Sequence, residues 1–171
     1  MSRAEGYADA YVAAHQDFIR FVEGLSDEQW SRVGRNFPER LNVEDETRPV
    51  GVIAYHIADG ERFIMERIQL MMEGKPLNPV NFRIKNAQQA KDQADVSRDE
   101  VLAMLRSNEE SIVPRVRAIP DSALDVEHQT PVGPATIAQR LERVLIGHMQ
   151  MHRGSIEATL LPSSAGEGRE G

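Results

Sequence analysis

The sequence contains no cysteine. That excludes a disulfide framework, a thiolate ligand and a cysteine nucleophile, so any metal must sit on imidazole or carboxylate, and any sulfur chemistry must use an external thiol. Nor does any apolar run approach the roughly 18 residues that a membrane span needs. The Met1-Ser2-Arg3 start has no apolar signal core, so a cytoplasmic protein with no membrane partner is expected. Positive charge is also in short supply. The 20 lysines and arginines against 27 aspartates and glutamates leave a formal charge of −7, which argues against nucleic acid as a partner. A Ser-His-Asp arrangement and a phosphate-cradling glycine motif are missing too, which removes two common enzyme classes.

What is present is helical periodicity, and nothing reads as a series of alternating strands, so the fold class is all-α. The 171 residues suffice for one domain with its own core. A single domain is expected over residues 1–161, with a small, polar and disordered tail over 162–171. The first helix covers about residues 4–23, with Tyr7, Tyr11, Phe18 and Val22 as its stripe and Gly24 as its stop. Ser26 with Gln29 forms a capping box for a short turn carrying Trp30. Residues 31–47 read as loop, with the run Glu44-Asp45-Glu46 ahead of the next helix's positive end.

A second helix over about residues 48–73 carries Ile53, Ile57, Ile64 and Ile68, widened by Val52 and Phe63. The polar stretch that follows is helical around residues 86–94. A third helix starts at the Ser97/Glu100 capping box and bears Val101, Leu105, Ile112, Val116 and Ile119, with a kink expected at Pro114. The fourth starts at Thr136/Gln139 and runs to about Leu160. Four helices with modest connections are what an antiparallel four-helix bundle requires.

The fourth helix holds His148-Met149-Gln150-Met151-His152. Residues four apart share a helix face, with Cβ atoms roughly 5 to 6 Å apart, so both rings can reach one ion. At roughly 100° per residue, Ile137, Leu141, Val144, His152, Ser155 and Thr159 all fall within about 40° of His148. Gln139, Glu142, Arg143 and Arg153 fall on the other side. Both histidines therefore point inward with the apolar stripe, where an unpaired imidazole is costly. His56 supplies a third ring from the second helix, three residues after Ile53. Three neutral imidazoles match the open type of catalytic site, with a position left for water or substrate. Imidazole suits zinc, nickel, copper or iron, and the competing reading is a set of packed, hydrogen-bonded core histidines. Ligand imidazoles must be neutral, so metal affinity is expected to fall below the free histidine pKa of about 6.5.

His56 in Val52-Ile53-Ala54-Tyr55-His56-Ile57-Ala58-Asp59-Gly60-Glu61, then Gly133-Pro134-Ala135-Thr136-Ile137, then His148-x-x-x-His152-Arg153-Gly154-Ser155-Ile156 resembles the DinB/YfiT-like superfamily of metal-dependent proteins. The turn from Leu25 to Trp30 and the segment 86–105 are similar as well, so the likeness covers about residues 7–160. The resemblance implies a four-helix bundle, often a homodimer, with a three-histidine site for one zinc or nickel ion. It also implies relatives that use low-molecular-weight thiols, the bacillithiol transferases and the mycothiol-dependent maleylpyruvate isomerase.

Several other residues carry two readings. His15 shares a stripe with Tyr11 and Phe18 and is either a packed histidine or a fourth ligand, outer partner or base. Glu61 is either an ion-pair partner of an arginine on another helix or an outer partner of the metal site. Asn86 either reaches the pocket or caps a turn. His128 is expected in an exposed loop. Met65, Met71, Met72, Met104, Met149 and Met151 read as core filling or pocket lining.

The function expected is that of a metal-dependent transferase or hydrolase acting on a small molecule, with transfer of a low-molecular-weight thiol ahead of hydrolysis. The alternative is a non-catalytic metal- or ligand-binding stress-response module. A fourth protein ligand from His15 or Glu61 would favour the module, because a catalytic site keeps that position open.

Overall fold

The computed structural model describes residues 2–34 and 48–161. The acidic run Glu44-Asp45-Glu46 and the tail 162–171 lie outside the described residues.

Helix α1 (Arg3–Glu23) opens on a capping box at Ser2 and Glu5 and buries Tyr11, Phe18 and Val22 of its stripe. Helix α2 (Asp27–Ser31) starts at the Ser26/Gln29 box and presents Trp30. The indole Nε1 of Trp30 donates to the Val96 carbonyl at 3.0 Å. The ring also lies over α3, where a Cβ at Gly51 would come within 2.5 Å of it. That close approach requires glycine. Helix α3 (Val50–Met72) buries Ile53, Ile57, Ile64 and Ile68. Helix α4 (Phe82–Asp92) is capped by Asn81, whose side chain accepts from the Ile84 amide. Helix α5 (Arg98–Arg117) begins at the Ser97/Glu100 box and continues through Pro114.

After the short helix α6 (Asp121–Leu124), the connection to the last helix forms a small hairpin within an otherwise all-α fold. Strands β1 (Glu127–Thr130) and β2 (Gly133–Thr136) pair antiparallel with Thr130 opposite Gly133. Each strand has only four residues and buries none of them fully, so no apolar alternation marks them in the sequence. The last helix starts at the Thr136/Gln139 box as α7 (Ile137–Gln139). It then widens into a π-helical segment (Arg140–Ile146) and continues as α8 (Gly147–Leu160).

Helix α1 packs on α5, α5 on α3, α3 on α8, and α8 back on α1. Two apolar clusters fill the interior. One gathers Tyr11, Ile64, Ile68, Ile112, Val116 and Leu141. The other gathers Phe18, Val22, Ile57, Leu105, Met149 and Ile156. On three helices the step between the clusters is taken by a buried polar residue: His15 on α1, Glu61 on α3 and Asn108 on α5. On the last helix the step falls between Ile146 and Met149, either side of His148. Among the described residues, no helix is long and apolar enough to cross a membrane.

Candidate metal centre

His56 on α3 and His148 and His152 on α8 each offer a ring nitrogen, and these atoms all lie within 4.8 Å of one another. The ring centroids stand 5.1 Å apart for His56 and His148, 4.9 Å for His56 and His152, and 4.5 Å for His148 and His152. The two Nε2 atoms of His56 and His148 face each other at 3.2 Å. Two nitrogens on one tetrahedral ion, each about 2.0 to 2.1 Å from it, stand roughly 3.3 Å apart, so this spacing fits a shared cation.

The tautomer of His56 follows from its neighbours. Gln89 Nε2 donates to Asp59 Oδ2 at 2.9 Å. An ionised carboxylate only accepts, so the amide oxygen of Gln89 faces the other way, 2.9 Å from His56 Nδ1. Nδ1 therefore carries the proton and Nε2 presents its lone pair to the other two rings. Asp59 is in turn held 3.4 Å from Lys85 Nζ. Helix α4, which supplies Gln89 and Lys85, thus fixes one histidine of α3 from outside.

Gly60 makes room for a second ring. A Cβ there would lie 3.1 Å from Cε1 of His148, a contact tight enough that the imidazole would have to give by a few tenths of an ångström. Burial, the neighbouring histidines and the charge of Arg48 hold His56 far below the ordinary histidine pKa, at about 2. Burial, His152 and Arg48 act on His148 in the same sense and bring it to about 3. Both rings are neutral at any physiological pH and ready to donate a lone pair. Proton competition at these two therefore sets in well below the value of about 6.5 expected for free imidazole.

The three rings lie along a cavity of about 310 Å³. Its walls are mostly apolar, with Phe63, Ile64, Ile68, Met71, Val144 and Met151 among them. Of the residues with two readings, Asn86 lines this cavity. It sits within α4, and the cap of that helix is Asn81.

His15 and Glu61 do not line the cavity, and they meet each other instead. His15 Nε2 is 3.3 Å from Glu61 Oε2, and its Nδ1 is 3.2 Å from Glu109 Oε2. Among the described residues neither an arginine nor the metal site, the two readings the sequence offered, partners Glu61. Glu61 Oε2 also accepts a hydrogen bond from Asn108 Nδ2 at 2.8 Å. Burial lowers the His15 pKa, but hydrogen bonds and charge from Glu61 and then Glu109 outweigh it, and the net shift is upward.

His128 lies on β1 and is half-buried, not in an exposed loop. The methionines divide: Met65 and Met149 are core, Met71 and Met151 line the cavity, and Met72 is exposed.

Sequence reasoning missed Gln89, Asp59, Lys85, Arg67 and Arg140, all near or in this cavity. The signal for Asp59 is its place three residues after His56, on the same helix face. Arg140 opens the π-helical segment, where a uniform 100° step does not hold. That step also puts Ile146 about 160° from His148, yet Ile146 is buried.

A family model described as the DinB superfamily matches residues 10–156. No curated protein and no solved structure matches the chain.

Proposed function

We propose that this chain, which belongs to the DinB superfamily, holds one divalent ion, zinc or nickel, on His56, His148 and His152. On this reading it works as a metal-dependent transferase or hydrolase on a small molecule, with a low-molecular-weight thiol as the preferred nucleophile. The observation that carries the reading is the convergence of three ring nitrogens beside an apolar cavity. Among the described residues the two candidates for a fourth ligand, His15 and Glu61, are engaged with each other. That supports an open coordination position facing the cavity, as catalytic sites keep and structural sites do not.

What such a cation supplies is acidity: a water or thiol beside it loses its proton near neutral pH. The residues of the chain do the rest. Burial keeps His56 and His148 unprotonated, so the nitrogens are available without a change of pH. Gln89, set by Asp59, keeps the donor nitrogen of His56 turned to the cluster. The mostly apolar walls lower the local polarity and so strengthen charge interactions beside them. With no cysteine in the chain, the thiol must be a second substrate.

The test is turnover after removal and return of metal. Chelator-treated protein, reloaded with zinc or nickel, is assayed with a panel of thiols and a generic electrophile, and separately with hydrolysable esters and amides. Activity that needs metal and is lost in His148→Ala supports the reading. Metal bound without turnover on any pair would move the assignment to the binding module.

A further inference from the structure

We propose that Arg67 and Arg140 form a receptor for the charged end of the substrate, so that the cavity takes a small organic carboxylate with an apolar body. The word substrate rests on the catalytic reading of the histidine site, whereas the receptor itself stands on separate residues.

Both arginines line the same cavity as the three histidines. Arg140 Nη2 donates to Thr130 Oγ1 at 3.0 Å, which ties it to the β-hairpin. Its Nε is buried and has no hydrogen-bond partner among the described residues. Arg67 Nη1 donates to the Asn78 carbonyl at 3.1 Å, and its guanidinium lies 5.3 Å from the Phe63 ring centroid. Among the described residues neither arginine meets a carboxylate. In the same chain Arg3, Arg98, Arg106 and Arg117 each pair with one. Two guanidiniums that share a partly desolvated wall, without an anion between them, are an incomplete arrangement. Burial and the charge of Arg67 both pull the Arg140 pKa down. A carboxylate would reverse that repulsion and accept from donors already aimed by Thr130 and Asn78.

Charge points the same way. Among the described residues the cavity lining carries Arg67, Lys85 and Arg140 against Asp59 alone, three cations to one anion. This positive site sits in a chain of formal charge −7, so the cavity is selective for anions where most of the surface repels them. Spacing sets the shape of the ligand. Arg67 follows His56 by 11 residues on α3, about three turns and roughly 16 Å along the helix axis at 1.5 Å per residue. The two groups therefore share a face but mark different ends, with Phe63, Ile64 and Ile68 on the wall near Arg67. A molecule anchored by its carboxylate at the arginine end places its apolar body along this wall and its far end toward the histidines.

The experiment uses chelator-dialysed, metal-free protein, so that a carboxylate has no ion to coordinate. Calorimetric titrations compare 4-phenylbutanoate with the neutral 4-phenylbutanamide and the cationic 4-phenylbutylamine. The carboxylate should bind about tenfold more tightly than the amide, and the amine should bind weakest. The preference should vanish in Arg67→Gln/Arg140→Gln and survive in His148→Ala. Arg140→Lys, which keeps the charge, should retain part of it, and circular dichroism checks that each variant is folded. Equal or undetectable binding of the three probes by wild-type protein overturns the proposal. So does a preference that persists in the double arginine variant and disappears in His148→Ala. Failure of the metal reading would show in metal analysis and leaves these titrations untouched.

Discussion

The amide oxygen of Gln89 lies 2.9 Å from Nδ1 of His56. Because the amide nitrogen of Gln89 is engaged by Asp59, this contact selects the His56 tautomer whose Nε2 is free to bind. Partners that orient a ligating histidine are typically worth about 10- to 100-fold in metal affinity. Gln89→Leu should therefore weaken metal binding by about that factor and leave the helical content unchanged. Competition with a chromogenic chelator measures it. An affinity within twofold of wild type would remove Gln89 from the site.

Gly60→Ala should separate stability from binding. Alanine at a helical position is favoured over glycine by about 0.8 to 1.0 kcal/mol. The new methyl, however, would stand 3.1 Å from His148 Cε1 and push the ring aside. The metal-free variant should melt at or above the wild-type temperature while its metal affinity falls. Unchanged affinity would mean that His148 has room to shift without cost.

The metal-free protein should lose stability on both sides of about pH 6.5, the pKa of an unperturbed histidine. His56 and His148 stay neutral in the folded state to about 2 and 3, whereas in the unfolded chain they take up protons near 6.5. Acid therefore favours unfolding from that point downward. His15 has the opposite sign. Its raised folded-state pKa gives stability that is complete below about 6.5 and is lost as pH rises through the folded value. Urea melts at a series of pH values test both limbs. His148→Ala should flatten the acid limb and His15→Gln the alkaline one. Limbs unchanged in these variants would reassign the effect to other groups.

Removing the metal should leave the helices intact. Two apolar clusters built from all the long helices around the site hold the fold, so an ion adds to a core that apolar packing forms without it. Circular dichroism of chelator-treated protein should keep its helical signal, with stability lowered by a few kcal/mol at most relative to saturating metal. Collapse to coil at room temperature would make the metal structural.

Much of this was legible in the residues themselves. The capping boxes at Ser26, Ser97 and Thr136 mark helix starts because each pattern is local and chemically complete. The isoleucine stripe of α3 is broad enough to fix that helix's buried face. Spacing and phase place His148 and His152 together, His56 follows from its place three residues after Ile53 in the apolar sector of its helix, and the likeness to the DinB superfamily agrees with all three. Gln89 was not legible because its role depends on α4 crossing α3, a tertiary contact that helical periodicity does not encode. Arg140 was hidden for a different reason: the π-helical widening before Gly147 breaks the regular step from which its face would be read. The pairing of His15 with Glu61 is a contact across two helices between residues 46 apart by number, and sequence could offer only a choice of partners for each.

The most direct test of the histidine site is elemental analysis of protein purified from zinc- or nickel-supplemented growth, set beside His56→Ala, His148→Ala and His152→Ala. Wild-type protein should carry about one divalent ion per chain, and each variant, losing one of three ligands, should lose most of it while remaining helical. Wild-type protein without metal that takes up none on titration, or variants that keep the full complement, would contradict the assignment of His56, His148 and His152 as the metal site.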